Sequence, residues 1–456
     1  MFDLERITVK EAAEFCESKT SLSGYIERIS TDSRDVDENT LFVALRGERF
    51  DANDFVPDVL KKGAKAAVSS RKDIDSERII YVPDTNKAFL DIGSKYRDRF
   101  NIPVIALTGS VGKTTTKGMV YSVVSEKYKT LRTEGNLNNE VGVPKTLLRL
   151  DKSYEAAVIE MGMNHFGEIE RISRAVKPTI GIITNVGTAH IENLGSREGI
   201  LKAKCEILNG MKKGSPLIIN GDNDMLSTLK NDDFDIIRFG INGENLYIKA
   251  ENIEFKDGGM CFDAVTCDER VKAWVPAVGM HNVYNALCAL CVGKILGYTL
   301  SEASNGLKNF VPEGMRQKIT EINGYTFIED CYNANPDSMR ASLSALNSLK
   351  KSRSIAVLGD MMELGSYSET AHREVGEFAG ESKTDILLCF GEFSHFTLEG
   401  AKRGGVKEAL RFDTKKELTE YLKSILKKGD TVLFKGSRGL HTEDVIKILK
   451  EEWTEK

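Results

Sequence analysis

The sequence predicts a mixed α/β protein of three blocks, the second and third built on largely parallel sheets. At 456 residues the chain is too long for a single hydrophobic core. Between residues 102 and 311, and again beyond 312, short apolar runs alternate with helical patterns, as βαβ units do. A glycine loop, Thr108-Gly109-Ser110-Val111-Gly112-Lys113-Thr114-Thr115-Thr116, joins the first of those runs to a helix.

The first block, residues 1–98, mixes short helical patterns with strand-like runs at 40–45 and 66–69. A polar stretch at 94–101 leads into the central block, residues 99–311, which opens with a strand at 102–107, the glycine loop and a helix over 117–127. Strands at 157–160, 180–185 and 217–220 follow, separated by helices near 168–175 and 198–209. Residues 236–275 read as an antiparallel annex, and a helix over about 280–296 closes the block. Val311-Pro312-Glu313-Gly314 reads as a hinge, which predicts an open resting form in which the third block stands off the second. That third block, residues 312–456, carries strands at 325–329, 355–358, 386–390 and 431–434, with helices from Pro336 and near 442–449, a Rossmann-like series.

Composition excludes several classes. Hydrophobic content of 41% and charged content of 29% are those of a soluble globular chain. A net charge of −5 argues against broad nucleic-acid binding, while leaving room for a local basic pocket. No apolar run approaches a membrane span, and the start Met-Phe-Asp-Leu-Glu-Arg lacks signal-peptide anatomy, so a cytoplasmic protein is expected. Of eight cysteines, Cys288 and Cys291 form a C-x-x-C within an apolar helical pattern, with no second pair at metal-finger spacing. Buried free thiols in a reducing compartment are expected.

The glycine loop sets backbone N–H groups and a helix N-terminus against a phosphate. Lys113 offers a charge for the terminal phosphates, and Thr114 or Thr115 a hydroxyl for Mg²⁺. The longer P-loop pattern wants a glycine at 107, where this chain has Leu107. A glycine turn without a ligand is the bland alternative. Ala157-Val158-Ile159-Glu160 ends a strand on a carboxylate, at the sheet edge where ligands bind and where a hard cation would find oxygen. The next strand delivers His190 to the same edge. Lys204 lies on a helix, where composition alone gives a solvated face. Asn282 and Asn285 open another helix, suited either to reading a base edge or to capping. Residues 330–337, 359–365 and 435–439 each follow a strand of the third block, so its carboxyl edge is expected to face the nucleotide.

Together these segments resemble the Mur ligase family over nearly the whole chain. The compact loop lacking a glycine at 107 is the form that family uses. Gly135-Asn136-Leu137-Asn138-Asn139 with Gly142 and Pro144 is similar to its substrate loop, and Thr31-Asp32-Ser33-Arg34 with Gly47 and residues 51–54 to its uridine-nucleotide pocket. The segments DCYNANPDSM at 330–339 and LGDMMELG at 358–365 are most similar to members that add D-alanyl-D-alanine to UDP-N-acetylmuramoyl-tripeptide.

The resemblance implies an ATP- and Mg²⁺-dependent ligase of peptidoglycan precursor synthesis, forming its amide through an acyl phosphate. It implies that Gly109, Ser110, Val111, Gly112, Lys113, Thr114 and Thr115 hold the nucleotide phosphates. Thr115, Glu160 and His190 would surround the metals, and Lys204 would carry a carbamate that ligates a second Mg²⁺. Lys113, Glu160, His190 and Lys204 form the implied catalytic set. Asn282 and Asn285 would face adenine, with Arg316 and Asp330 reaching ATP from the third block. Ser33, Arg34, Asn136, Asn138, Asn139, Asn333 and Asn335 would contact the two other substrates. The first block would bind the UDP substrate, the central block ATP, and the third the amino dipeptide, all within a monomer.

Rival readings are another amide ligase of the superfamily, tripeptide-forming or folylpolyglutamate synthetase-like, and a P-loop kinase or GTPase. DCYNANPDSM opposes the first. No Asn-Lys-x-Asp follows the loop to support a GTPase. A catalytically dead nucleotide-binding scaffold is opposed by Lys113, Glu160 and His190.

Overall fold

Strand pairing divides the chain among three sheets in a computed structural model that describes residues 2–454, with side chains described for 4–451. The first sheet runs Phe2–Thr8, Tyr25–Ser30, Thr40–Val43, Ala66–Ser69, Ile79–Tyr81, its first pair antiparallel and the rest parallel. Thr40–Val43 and Ala66–Ser69 are buried at every position, as strands covered on both faces are. Helix Thr85–Arg97 starts on Asp84, whose carboxylate accepts from the N–H groups of Asn86 and Lys87. Its far end fastens this block to the next: Tyr96 donates its hydroxyl to the Leu150 carbonyl at 2.7 Å, and Arg97 Nε donates to the Val176 carbonyl at 2.9 Å.

The central sheet has nine strands, with Val104–Thr108 between Ala156–Glu160 and Ile180–Ile183, all three parallel. Leu107 lies opposite Glu160 and Thr108 opposite Ile183, so three strand ends emerge side by side under the glycine loop. Thr130–Arg132 forms one edge. On the other side come Pro216–Asn220, Asp235–Gly240, Ile248–Lys256, Gly259–Val265 and Arg270–Val275. The expected antiparallel annex is therefore only partly so. Asp235–Gly240 pairs parallel with Pro216–Asn220, Ile248–Lys256 pairs parallel with Asp235–Gly240, and only the last two pairings are antiparallel. Short strands carry no mark of their direction, and these extend the main sheet. Helix Met280–Ile295, apolar almost all round, packs on helix Lys113–Val124 through a cluster including Val283, Leu287 and Leu290 against Met119, Val120 and Val123. Cys288 and Cys291 are free and buried there, burial pushing both thiols up.

The third sheet runs Lys318–Ile322, Tyr325–Asp330, Thr431–Lys435, Ser354–Leu358, Ile386–Phe390, Glu408–Phe412, parallel except for its first pair. The two edge strands, Lys318–Ile322 and Glu408–Phe412, escape sequence reading because their partly exposed positions leave no continuous apolar run.

Where the hinge predicts an open form, this conformation brings the two blocks into contact. His190 Nδ1 lies 2.9 Å from Glu363 Oε2, and a Cβ on Gly187 would fall 1.9 Å from Asp337 Oδ2. A cleft of about 1460 Å³ remains between them. Among the described residues no helix is long and apolar enough to cross a membrane.

Candidate active site

The glycine loop lies at the floor of the cleft, held by the neighbouring strand end. Asn185 Oδ1 accepts from the N–H groups of Ser110 (3.0 Å) and Val111 (2.9 Å), and the Thr184 hydroxyl donates to the Val111 carbonyl at 2.8 Å. Two glycines are required by close approach. A Cβ on Gly109 would sit 1.9 Å from Thr184 Oγ1, and Gly112, at φ 79°, would place one 2.9 Å from Asn285 Oδ1. Helix Lys113–Val124 then begins at Gly112 with no side-chain cap, so its first N–H groups and its positive dipole end are available to an anion. Lys113 Nζ donates to the Gly109 carbonyl at 2.8 Å. Enclosure pushes its pKa below the usual lysine value, and the neighbouring Glu160 pulls it partly back. A phosphate would restore the charged form.

Glu160 is buried at the adjoining strand end. Its Oε1 accepts from the Thr114 hydroxyl at 3.2 Å and from Asn138 Nδ2 at 2.9 Å, whereas Oε2 has no hydrogen bond. Of the two candidate hydroxyls, Thr114 is therefore the one touching Glu160, and Thr115 lines the cleft beside it. His190 sits at φ 63°, a left-handed conformation that aims its ring across the cleft at Glu363. That contact holds the Glu363 carboxyl below its usual range, and Glu363 is itself left-handed at φ 63°.

Helix Arg197–Cys205, N-capped by Ser196, buries Lys204 in its last turn. The side chain is not on a solvated face: it is 1% exposed, and its ammonium has no hydrogen-bond or ion-pair partner among the described residues. Burial, reinforced by the charge of Lys113, pushes its pKa well below the ordinary lysine value.

The asparagines divide. Asn282 and Asn285 are buried and bonded to one another at 3.1 Å, with Asn285 Oδ1 also accepting from the Thr116 hydroxyl at 3.0 Å. They line the cleft without capping their helix. Asn136, Asn138 and Asn139 line it too, although Asn139 Oδ1 is engaged by the Gly142 N–H at 2.8 Å. Asn335 lines the cleft and caps helix Pro336–Leu349 in a reciprocal box with Ser338. Asn333 lines it with its side-chain oxygen on the Ala334 N–H. Arg316 packs over the Tyr332 ring at 4.0 Å. Asp330 is paired in register with Lys435, whose Nζ donates to it at 2.6 Å, and the Ser342 hydroxyl donates to the same oxygen at 2.6 Å. Burial raises the Asp330 pKa, but Lys435, Ser342 and Arg316 together outweigh it and hold the group below its usual range. Ser33 and Arg34 do not reach the cleft: the Arg34 guanidinium forks onto Asp32 at 2.9 and 2.7 Å on an exposed surface.

Comparison with known proteins agrees with this geometry. Residues 25–106 match the family model "Mur ligase family, catalytic domain", 107–293 "Mur ligase middle domain", and 315–438 "Mur ligase, glutamate ligase domain". The UDP-N-acetylmuramoyl-tripeptide--D-alanyl-D-alanine ligase of Bacillus subtilis (strain 168) is 35% identical over 454 residues, 97% of this chain and 98% of its own. The chain belongs to the Mur ligase family. Among solved Mur ligases, MurF from Acinetobacter baumannii superposes with TM-score 0.92 at 34% identity, over 98% of this chain and 100% of that one. MurF ligase from Thermotoga maritima in complex with ADP gives TM-score 0.85 at 29% identity, over 94% and 98%.

Several residues of this Mur ligase site escape sequence reasoning. Asn185 lay within a strand-end motif but carried no assigned role. Lys117 follows Lys113 by one helical turn, a spacing that puts both on one face; it is fully buried against Glu160 and Glu313. Lys435 and Glu363 sat inside noted motifs, and only the folded sheet edge pairs them with Asp330 and His190.

Proposed function

We propose that this chain is an ATP-dependent amide ligase joining D-alanyl-D-alanine to UDP-N-acetylmuramoyl-tripeptide, a step of peptidoglycan precursor synthesis. The observation that carries the reading is one cleft in which an uncapped glycine-loop helix end, Lys113 and an unbonded carboxylate oxygen of Glu160 meet the strand ends of a second sheet. The peptide's terminal carboxylate attacks the γ-phosphorus of ATP, giving an acyl phosphate and ADP. The dipeptide amine then attacks the acyl carbon, loses a proton and expels phosphate.

The first step brings two anions together, and the chain's own groups offset that. The helix N-terminus and Lys113 lie against the phosphates, and Lys113 holds its proton as charge approaches. Among the described residues no cluster of three His, Cys, Asp or Glu side chains forms a protein cage for a metal. That fits Mg²⁺, which keeps waters and phosphate oxygens as most of its ligands. Glu160, with a Thr114 or Thr115 hydroxyl, would hold one ion, and His190 with a modified Lys204 a second. Mg²⁺ bound there would neutralise charge between carboxylate and phosphate. Lys204 suits modification because its burial favours the neutral amine, which adds to CO₂ with loss of one proton to give a carbamate.

Asn282 and Asn285 are placed to meet the adenine, and Arg316 and Asp330 to approach ATP from the third block. Residues 312–456 would present the dipeptide through Asn333 and Asn335, and closure would keep water from the acyl phosphate. Residues 1–98 would hold the UDP end, with Ser33 and Arg34 forming a site outside the cleft, while Asn136, Asn138 and Asn139 flank the peptide. The test is phosphate release measured over a matrix of UDP-muramoyl peptides and amino acceptors. Turnover only with a tripeptide donor and D-alanyl-D-alanine is expected, and equal turnover with glutamate or diaminopimelate as acceptor would overturn the assignment.

A further inference from the structure

Behind the glycine loop Glu160 meets a charge cluster whose other members, Lys117, Glu313 and Arg132, have no part in the proposed reaction. Lys117 is fully buried, with Nζ 3.0 Å from Glu313 Oε2 and 3.5 Å from Glu160 Oε2. Glu313 Oε1 lies 2.9 Å from Arg132 Nη1, and the Arg132 guanidinium covers the Tyr121 ring at 4.2 Å. Two cations and two carboxylates balance. The geometry is that of ion pairs without good hydrogen bonds, since Lys117 Nζ, Glu160 Oε2 and Glu313 Oε1 all lack one. Such a cluster adds little to stability for the desolvation it demands.

Its connectivity is more telling. Glu160 Oε1 is fixed by Thr114 and Asn138, so the direction of Oε2 depends on Lys117. Lys117 is nearer to Glu313 than to Glu160, and Glu313 belongs to the linker, one residue before Gly314 with its φ of 65°. We infer that Lys117 and Glu313 are positioning residues for Glu160: Glu313 draws the Lys117 ammonium off Glu160 Oε2, leaving that oxygen for Mg²⁺ and tying the seating of the linker to the metal site. This rests on the reading of Glu160 as a magnesium ligand. Neutralising Glu313 would leave Lys117 to compete for Oε2 and would add one net positive charge beside the cation. Both effects weaken Mg²⁺.

The test is binding of a fluorescent, non-hydrolysable ATP analogue to the full chain, titrated with Mg²⁺ and repeated in EDTA. In Glu313→Gln the Mg²⁺ concentration for half-maximal tightening should rise about tenfold, the usual scale for losing an outer partner of a metal ligand. Affinity in EDTA should stay within about twofold of the parent, because the phosphate-binding loop is intact. Glu313→Asp should fall between the two. A merely structural role would lower the melting temperature and leave the Mg²⁺ requirement unmoved; a requirement within twofold of the parent in folded Glu313→Gln overturns the inference. If that variant does not fold, Arg132→Gln, which leaves Glu313 to Lys117 alone and removes a positive charge from the cluster, decides: a lowered requirement supports the coupling, and an unchanged or raised one overturns it. Glu160→Gln separates the coupling from the magnesium site itself. Loss of Mg²⁺ dependence there, with Glu313→Gln unchanged, condemns only the coupling, whereas retained dependence in Glu160→Gln condemns the magnesium assignment itself.

Discussion

Replacing Lys204 by methionine should make the protein more stable and nearly inactive. The side chain is buried, no described residue bonds its amine, and its pKa is driven well below the ordinary 10.5 by burial and by Lys113. In the unfolded chain the amine is protonated at pH 7.5, and burial on folding opposes that charge. About three pH units at about 1.4 kcal/mol each sets a ceiling of about 4 kcal/mol on that cost. Methionine fills similar volume without the cost, so Lys204→Met should be the more stable at pH 7.5, by no more than about 4 kcal/mol. Between the depressed folded value and 10.5 the unfolded parent binds the extra proton, so parental stability rises with pH in that window while the variant lacks the slope. The advantage of the variant should therefore shrink by about 1.4 kcal/mol per pH unit and vanish near 10.5. Urea unfolding followed by circular dichroism, in bicarbonate-depleted buffer without Mg²⁺, measures it. A variant no more stable than the parent at pH 7.5, with a gap that does not change with pH, would refute a buried neutral amine. Turnover should fall to near background and be partly restored in Lys204→Ala by acetate supplying the missing oxygen ligand.

Lys113→Ala should reduce ATP turnover by about 10²–10³-fold, the usual loss for one electrostatic donor, with an unchanged circular dichroism spectrum. Gly112→Ala should cost about 1–2 kcal/mol for a left-handed alanine and, by pushing on Asn285, weaken nucleotide binding measured by calorimetry. Glu363→Gln removes the contact with His190; with Glu363 half exposed the pair is worth at most about 1 kcal/mol, so compaction on adding ATP analogue and UDP-tripeptide, followed by small-angle scattering, should weaken no more than about fivefold. Because the folded Glu363 carboxyl lies below its ordinary value of 4.5, the carboxylate's contribution should be present above pH 4.5 and lost as pH falls through the folded value.

Much of this was legible in the sequence, for physical reasons that differ by region. The central strands are apolar runs buried on both faces, and the glycine loop announces itself because Gly109 and Gly112 lie close against the Thr184 and Asn285 side chains. Glu160 and His190 could be placed because a parallel sheet gathers its strand ends. The edge strands Lys318–Ile322 and Glu408–Phe412 were not legible, being partly exposed. Lys204 shows the limit most clearly. Nothing local separates a buried lysine from a solvated one, so its burial is visible only once helix Arg197–Cys205 is seated. Glu313 likewise reads as part of a hinge until the fold turns it onto Lys117.

The central claim is that the peptide carboxylate itself takes the γ-phosphoryl group. UDP-N-acetylmuramoyl-tripeptide labelled with ¹⁸O in its terminal carboxylate, turned over with ATP, Mg²⁺ and D-alanyl-D-alanine, tests it most directly by mass spectrometry of the released phosphate. One carboxylate oxygen should leave with each phosphate, so the label should appear there and the new amide should keep the other. Phosphate free of label, with amide still formed, would contradict the account.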